Sequence, residues 1–468
     1  MKFFGKAIAA GVTAAVLTLS APATAIAETL ADVLADAYKH SGLLEQNRAV
    51  LRAADEDVAA TFALLRPVIA WSASVGTGRT RSSTGGFVTD STATPVSVGL
   101  SAEILLWDNG ATQLAVDAAK ESVLSTRQSL IAVEQNVLLT AVQAFMNVLR
   151  DREFVALGES NVRVITRELR AARDRFEVGE VTRTDVAQAE ARLAGSRADL
   201  AAAKGSLLAS EAEFVAAVGR RPGQLVAPTR LPATAKSRED ATAVSVRNHP
   251  NIKKAQHDIQ TAELNVLRTE ASMGPSVSLR GTVGLNEYHN SSRFSNSGSV
   301  SLNLQQTIYQ GGRLTALLRQ AMAFRDAERA GLHVVRHNLI QQAGAAWAQL
   351  EAANAQLQAS DRQIEAARIA FDGIREEATL GARTTLDVLN AEQEVLDAEA
   401  RRISNEANQY VAAYAVLAAM GLLTAEHLNL RVEQYDPEAY YNQVKSAPAY
   451  YSKQGRDLDR VLRAIGKE

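Results

Sequence analysis

The sequence predicts an α+β membrane protein in which one structural unit is written twice. A segment of nineteen residues in the first half of the chain has a counterpart in the second half. In each half, short segments alternate between apolar and polar residues, which is the period of a β-strand. A helical pattern then continues in each half far beyond the length of an ordinary helix. These three observations indicate two copies of a β-hairpin followed by a long helical hairpin.

The first 27 residues have the features of a secretory signal, with Lys2 and Lys6 before an apolar stretch over residues 7–19. The small residues Ala25 and Ala27 then precede Glu28. We therefore expect residues 1–27 to be a signal peptide. No later run is apolar and long enough to cross a bilayer as a helix, so the exported chain is predicted to be either soluble or a barrel.

The repeat is clearest where residues 175–193 align with residues 377–395. Three prolines mark residues 220–232 as a linker between the copies. We expect a first repeat over residues 28–237, a second over 238–432, and an equatorial or C-terminal tail over 433–468. Six identities fall within twelve positions: Gly179, Thr182, Asp185, Val186, Ala189 and Glu190 match Gly381, Thr384, Asp387, Val388, Ala391 and Glu392.

Each repeat begins with a helix and continues into a predicted β-hairpin, over residues 67–106 and 275–309. The strands alternate apolar residues with Ser, Thr, Asn, Gln and Gly. The segments 76–94 and 286–297 are predicted to be exposed loops within these hairpins. A soluble sandwich with one solvated face is one interpretation, but the nearly uncharged polar face favours strands with lipid outside and water inside.

Long helical hairpins are predicted over residues 110–219 and 312–422. Apolar residues recur every seventh position, as in Leu138 and Phe145, which predicts left-handed supercoiling against neighbouring helices. Gly179 and Gly381 can adopt the positive φ that ends a helix. Thr182 and Thr384 can cap the helices that return. These turns are the predicted distal tips.

The composition excludes several classes of function. With 47% apolar and 22% charged residues among 468, the chain is that of an ordered protein. A formal net charge of −2 without a long basic run argues against a nucleic-acid partner. There is no cysteine, and phosphate-loop, zinc-protease and serine-hydrolase motifs are missing. We expect no enzyme activity, no cofactor and no metal site.

Two strand hairpins and two helical hairpins, with the segments RFEVGEVTRTDV and LGARTTLDVLNAEQ, resemble the TolC family of outer-membrane efflux and type I secretion channels. The resemblance implies a homotrimer in the outer membrane of a Gram-negative bacterium. Four strands per chain would form a twelve-stranded barrel in lipid, continued by an α-helical coiled-coil tunnel through the periplasm. A periplasmic adaptor and an inner-membrane transporter, either an ABC exporter or a proton-driven pump, would be the partners.

The resemblance also implies a closed periplasmic entrance at the helical tips. Thr184 and Asp185 would meet Arg383 in a polar link, and Asp387 would belong to a three-fold acidic ring. Asn390 stands where a second aspartate ring occurs in some relatives, which implies weaker cation binding. The tips would dock the adaptor through Val178, Gly179, Glu180, Val181 and Thr182 in the first repeat and Leu380, Gly381, Ala382 and Thr384 in the second.

Two other classes of protein stay open at this point. One is a periplasmic adaptor-like protein with a long helical hairpin, and the other is a structural coiled coil, both without a barrel. An adaptor would normally have one helical hairpin and lipoyl-like β segments, whereas this sequence has two hairpins.

Overall fold

The computed structural model describes residues 28–289 and 294–464, so the predicted signal peptide 1–27 lies outside the described residues. Within each half, a short helix pair, a set of strands and two long helices follow one another. In chain order the elements are α1 Leu30–His40, α2 Gly42–Ala63, β1 Val68–Val75, β2 Gly78–Thr84, β3 Phe87–Trp107, α3 Ala111–Glu177, α4 Arg183–Val218, α5 Arg238–Asn248, α6 Pro250–Ala271, β4 Ser276–His289, β5 Phe294–Gln305, α7 Arg313–Thr379, α8 Thr385–Ala419, α9 Pro437–Val444 and α10 Lys453–Ala464.

The strands of both halves form one antiparallel sheet in the order β1-β3-β4-β5, with β2 paired to β3. Strand β2 continues the register of β1, because Val75 lies opposite Val96 and Gly78 lies opposite Ala93. Pairing of β3 with β4 joins the two repeats. Among the described residues, the outer edges of β1 and β5 have no partner strand.

The prediction that segments 76–94 and 286–297 are loops is wrong for most of their length, because β2, β3, β4 and β5 extend through them. Gly85 and Gly86 adopt φ values of 61° and 89° and connect β2 to β3 in two residues. A turn with two positive φ values matches the twist of paired strands. The Ser and Thr residues beside it therefore pair as strands although their composition is typical of loops, and residues 290–293 lie outside the described chain.

The sheet has one apolar and one polar face. The apolar face carries Trp71 opposite Leu100, Leu100 opposite Val283, and Leu279 opposite Leu302. Trp71 is 75% exposed and Leu302 is 65% exposed, so the chain itself does not cover this face. On β3 the apolar face runs from Val96 to Ile104, and after a register shift Trp107 continues it opposite Val277. At a strand tilt of 35–45° this length of strand spans roughly 25 Å along the barrel axis.

The two longest helices, α3 and α7, have 67 residues each and run for about 100 Å. Each begins after a left-handed glycine, Gly110 or Gly312. The returning helix α4 packs on α3, α8 packs on α7, and α6 bridges α3 and α7. Leu138 and Phe145, both predicted at the coiled-coil seam, are fully buried.

The prediction that no run after residue 27 is long and apolar enough to cross a bilayer is wrong by length and composition, because helix α3 contains one such segment. It is the one such segment in the part of the chain that the structure describes. Length and composition do not distinguish a membrane span from a core helix, and 44% of the segment is buried inside the chain. Leu138, Val142 and Phe145 of α3 belong to the main hydrophobic core.

Candidate functional site

The two distal tips have the same backbone design. In the first, the Glu180 N–H donates to the Arg175 carbonyl at 2.9 Å and the Gly179 N–H donates to Phe176 at 3.0 Å. In the second tip, the N–H groups of Ala382 (2.9 Å) and Gly381 (3.2 Å) donate the corresponding bonds. The two glycines have φ values of 82° and 79°. Both tips are therefore Schellman turns, and the predicted role of the glycines is confirmed.

Each returning helix begins with the same reciprocal cap. The Asp185 N–H donates to the Thr182 hydroxyl at 3.3 Å, while the Thr182 N–H donates to the Asp185 carboxylate at 2.8 Å. Thr384 and Asp387 form the same pair of bonds at 3.2 and 3.0 Å. The predicted caps are confirmed, and each stiffens the start of its helix with two backbone donors satisfied.

The charges differ between the tips. Arg383 donates to Glu377 at 2.8 Å within the second tip, and this bond raises the pKa of the guanidinium. Bonds from the backbone N–H and hydroxyl of Thr384 hold the pKa of Asp387 below its usual range. Asp387 is therefore ionised near neutral pH. In the first tip, Arg175 and Val181 occupy the positions of Glu377 and Arg383, so this ion pair has no equivalent.

The single chain does not bring the predicted gate link together. Asp185 is used in the cap of α4, Arg383 contacts Glu377, and Thr184 is exposed at the second position of α4. A contact of Asp185 or Thr184 with Arg383 from another subunit stays a prediction.

A link between the two helical hairpins lies farther from the tips, and only one of its two residues, Asn390, was predicted from the sequence. Arg192 of α4 donates to the side-chain oxygen of Asn390 of α8 at 3.0 Å. Beside it, Leu169, Leu193 and Leu389 pack in one hydrophobic cluster that joins α3, α4 and α8. Arg192 follows Asp185 by seven residues and so lies on the same side of α4, which was the available signal.

The most distal side chains are apolar and exposed. Val178 is 71% exposed and Leu380 is 84% exposed, and each directly precedes the glycine of its tip. Glu180 and Ala382 follow the glycines and are also exposed. The two repeats therefore place an exposed apolar side chain at the same point of each tip.

A two-faced sheet carried on long helical hairpins is the architecture of an outer-membrane channel subunit. Residues 33–220 and 244–422 match the outer membrane efflux protein family. Outer membrane efflux protein BepC of Brucella suis biovar 1 is 36% identical over 439 residues, covering 93% of this chain and 95% of BepC. The chain belongs to the outer membrane efflux protein family. It is a protein of the outer membrane that extends into the periplasm, and the predicted TolC-type resemblance is confirmed.

One further relative and two solved structures are also similar to this chain. Outer membrane protein TolC of Vibrio cholerae is 24% identical over 308 residues, which cover 64% of this chain and 70% of TolC. The solved structure of CusC has a TM-score of 0.75 at 18% identity and covers 84% of this chain and 92% of its own. That of VceC from Vibrio cholerae has a TM-score of 0.72 at 18% identity and covers 84% and 96%. The two structures show the channel-type fold.

Proposed function

We propose that three copies of this chain form the passive outer-membrane duct of a tripartite efflux or type I secretion system. The observation that carries the proposal is the open sheet, which has an exposed apolar face and unpaired edges on β1 and β5. Unpaired backbone groups are not tolerated in hydrocarbon, so a sheet in lipid must close on itself. Four strands are too few for a barrel, and three copies supply twelve.

The tips are proposed to dock a periplasmic adaptor, which connects the duct to an inner-membrane transporter. The support is that two otherwise different segments keep the same turn, the same cap and an exposed apolar residue at the point farthest from the sheet. Val178 and Leu380 would be the apolar anchors of that contact. The relatives named as efflux proteins and the alkaline protease secretion protein AprF of Pseudomonas aeruginosa, 23% identical over 293 residues, support a role in such systems.

Membrane insertion is tested by placing one charge on each face of β4. Leu279→Arg puts a cation on the apolar face, which costs roughly 2–4 kcal/mol at the membrane midplane and less toward the interfaces. Thr282→Arg puts the same cation on the polar face, where water accommodates it. We expect urea-washed outer membranes to retain a heat-modifiable trimer of Thr282→Arg and much less of Leu279→Arg. Equal recovery of both variants, or a protein that urea extracts, would favour an adaptor-like or structural coiled coil.

Docking is tested by site-specific crosslinking from Glu180 and Ala382. The matched control is Gly85, which lies at the opposite end of the molecule in the β2–β3 turn. We expect the adaptor to be captured from the tips and not from Gly85. Capture from Gly85 alone would reject the tips as the docking surface.

A further inference from the structure

The polar face of the sheet carries only two charged residues among the described strands, and they lie side by side. The strand register places Glu103 of β3 directly opposite Arg280 of β4. The rows above this pair are uncharged, with Ser101 opposite Thr282 and Gly99 opposite Gly284. Strand β5 continues the row with Ser301 opposite Arg280. The other members of this face are mostly Ser, Thr, Asn and Gly.

The remaining charges of the strands are on the other face. Arg79, Arg81 and Asp90 follow the register of the apolar face beyond Val75, and Glu287 lies opposite Val96. Arg79 and Asp90 form an ion pair there. The polar face is therefore neutral over almost its whole length, and the field inside a closed barrel would come mainly from Glu103 and Arg280.

Both side chains are free to act on a passing solute. Each is exposed, and neither forms an ion pair or side-chain hydrogen bond with any residue that the structure describes. The pair lies toward the helical end of the sheet, because β3 ends at Trp107 and α3 begins at Ala111. In three copies, three carboxylates and three guanidinium groups would share one level of the lumen.

We propose that Glu103 and Arg280 set the charge selectivity of the duct where the barrel meets the helical tunnel. The inference rests on the proposed duct and names which of its residues discriminate between small cations and small anions. Glu103 raises the local concentration of cations and Arg280 that of anions, so the two together leave the barrel with little preference. One unit charge about 10 Å from a passing ion changes its local concentration in water about twofold.

The test is the reversal potential of the purified trimer in planar bilayers under a potassium chloride gradient. Arg280→Gln should increase the cation-to-anion permeability ratio several-fold, because three like charges are removed at one level. Glu103→Gln should lower the ratio by a similar factor, and the double variant should return near the parent value. Both shifts should shrink in molar salt, where screening is strong. The control Arg79→Gln removes the same charge from the opposite face and should leave the ratio unchanged.

The outcomes separate the selectivity proposal from the proposed function. Channels of parental conductance whose reversal potential is the same in all variants would overturn the selectivity proposal and leave the duct intact. Two charges that act only on the stability of the sheet would also give that result, together with an equal loss of trimer heat resistance in both single variants. A purified protein that forms no channels in the parent form would instead reject the duct.

Discussion

The longest helix of each repeat has the same length, but the two are buried to very different extents. Of the 67 residues in α3, 17 are buried, whereas α7 also has 67 residues and buries 6. Leu138 and Ile340 are each the twenty-eighth residue of their helix, yet Leu138 is fully buried and Ile340 is 37% exposed. Phe324 and Val334 of α7 are exposed as well. The first repeat thus finds its packing partners within the chain, whereas α7 leaves an apolar surface exposed, which in the proposed trimer would face another subunit.

An acid and an arginine occupy equivalent helix positions in both repeats, but they form a pair only in the second. Glu263 of α6 accepts a hydrogen bond from Arg329 of α7 at 2.6 Å. The residues at the same helix positions in the first repeat are Asp55 of α2 and Arg127 of α3. Arg127 instead donates to Glu438 at 3.3 Å. Neither oxygen of the buried Asp55 has a hydrogen-bond partner among the described residues.

The C-terminal tail explains this difference, because it packs against α2 and α3 of the first repeat. Arg127 also lies over the ring of Tyr441, and the Tyr440 hydroxyl donates to Glu56 at 2.7 Å. Arg66 donates to the backbone carbonyls of Ser446 and Ala447. The tail draws Arg127 away from Asp55 and leaves this carboxyl group without the arginine partner that Glu263 has in the second repeat. An acid and an arginine at equivalent positions of the two repeats thus form different contacts, because a third segment competes for one of the arginines.

The largest expected effect tests the difference in burial. Leu138→Ala should lower the free energy of unfolding by about 2–5 kcal/mol, because it leaves a cavity in a fully buried site. Ile340→Ala should lower the free energy of unfolding of the single chain by less than half of this amount. Its main effect should be on the association of the subunits. Denaturant unfolding followed by circular dichroism measures the first effect, and the temperature at which the trimer dissociates in detergent measures the second. Equal losses in both assays would contradict the asymmetry.

Local features of the fold could be predicted from the sequence, and contacts between distant segments could not. Gly179 and Thr182 act through bonds within a few residues, so their roles were apparent from the repeat. Strand β2 was missed because its Ser and Thr residues are common in loops and its Gly85-Gly86 turn was not recognised. The choice of Arg127 between Asp55 and Glu438, which are 383 residues apart, depends on where the tail packs. The bond between Arg192 and Asn390 depends in the same way on tertiary packing.

The second prediction concerns the unpaired carboxyl group. Burial raises the pKa of Asp55 to about 6, with Arg127 opposing and Glu56 adding to the shift. Because the folded protein holds this proton more tightly than an unfolded chain, whose Asp pKa is about 4, stability from this group is present below about pH 4. It is lost as the pH rises to about 6. Asp55→Asn should abolish this part of the pH dependence and stabilise the protein by about 1–3 kcal/mol at pH 7.5.

The matched control for Asp55→Asn is Glu263→Gln in the second repeat, where the carboxylate already has its arginine. It should show no gain at pH 7.5, because the ion pair with Arg329 is lost. Chemical unfolding at pH 4, 5, 6 and 7.5 measures both variants against the parent. A gain of the same size in Glu263→Gln would mean that the tail does not create the difference.

The third prediction concerns the threonine helix caps, which both repeats share. Thr182→Ala and Thr384→Ala should each cost about 1 kcal/mol, the usual value for a lost helix cap. The two losses should agree, because the caps have nearly the same bond lengths. Amide hydrogen exchange in the first turns of α4 and α8 is the suitable measurement, since a lost cap increases local opening. A much larger loss at one tip would show that its threonine has a further contact.

The smallest effect on stability, and the most informative one for function, is expected at the charges that only the second tip carries. Arg383 and Glu377 are both about half exposed, so their ion pair contributes little to the fold. A duct that is closed at rest needs contacts of this kind, which a partner can break at low cost. Arg383→Ser should raise single-channel conductance in planar bilayers with no change in trimer yield, and Asp185→Ala should do the same if the two residues meet between subunits. Asp387→Ala should weaken block by divalent cations added on the periplasmic side, because it removes a carboxylate that is ionised near neutral pH.

Glu377→Gln separates two explanations of the gate. If it opens the channel as much as Arg383→Ser does, the ion pair within the second tip holds the gate. If only Arg383→Ser and Asp185→Ala open it, the link runs between hairpins, and parental conductance in all three variants would place the gate elsewhere on the helices.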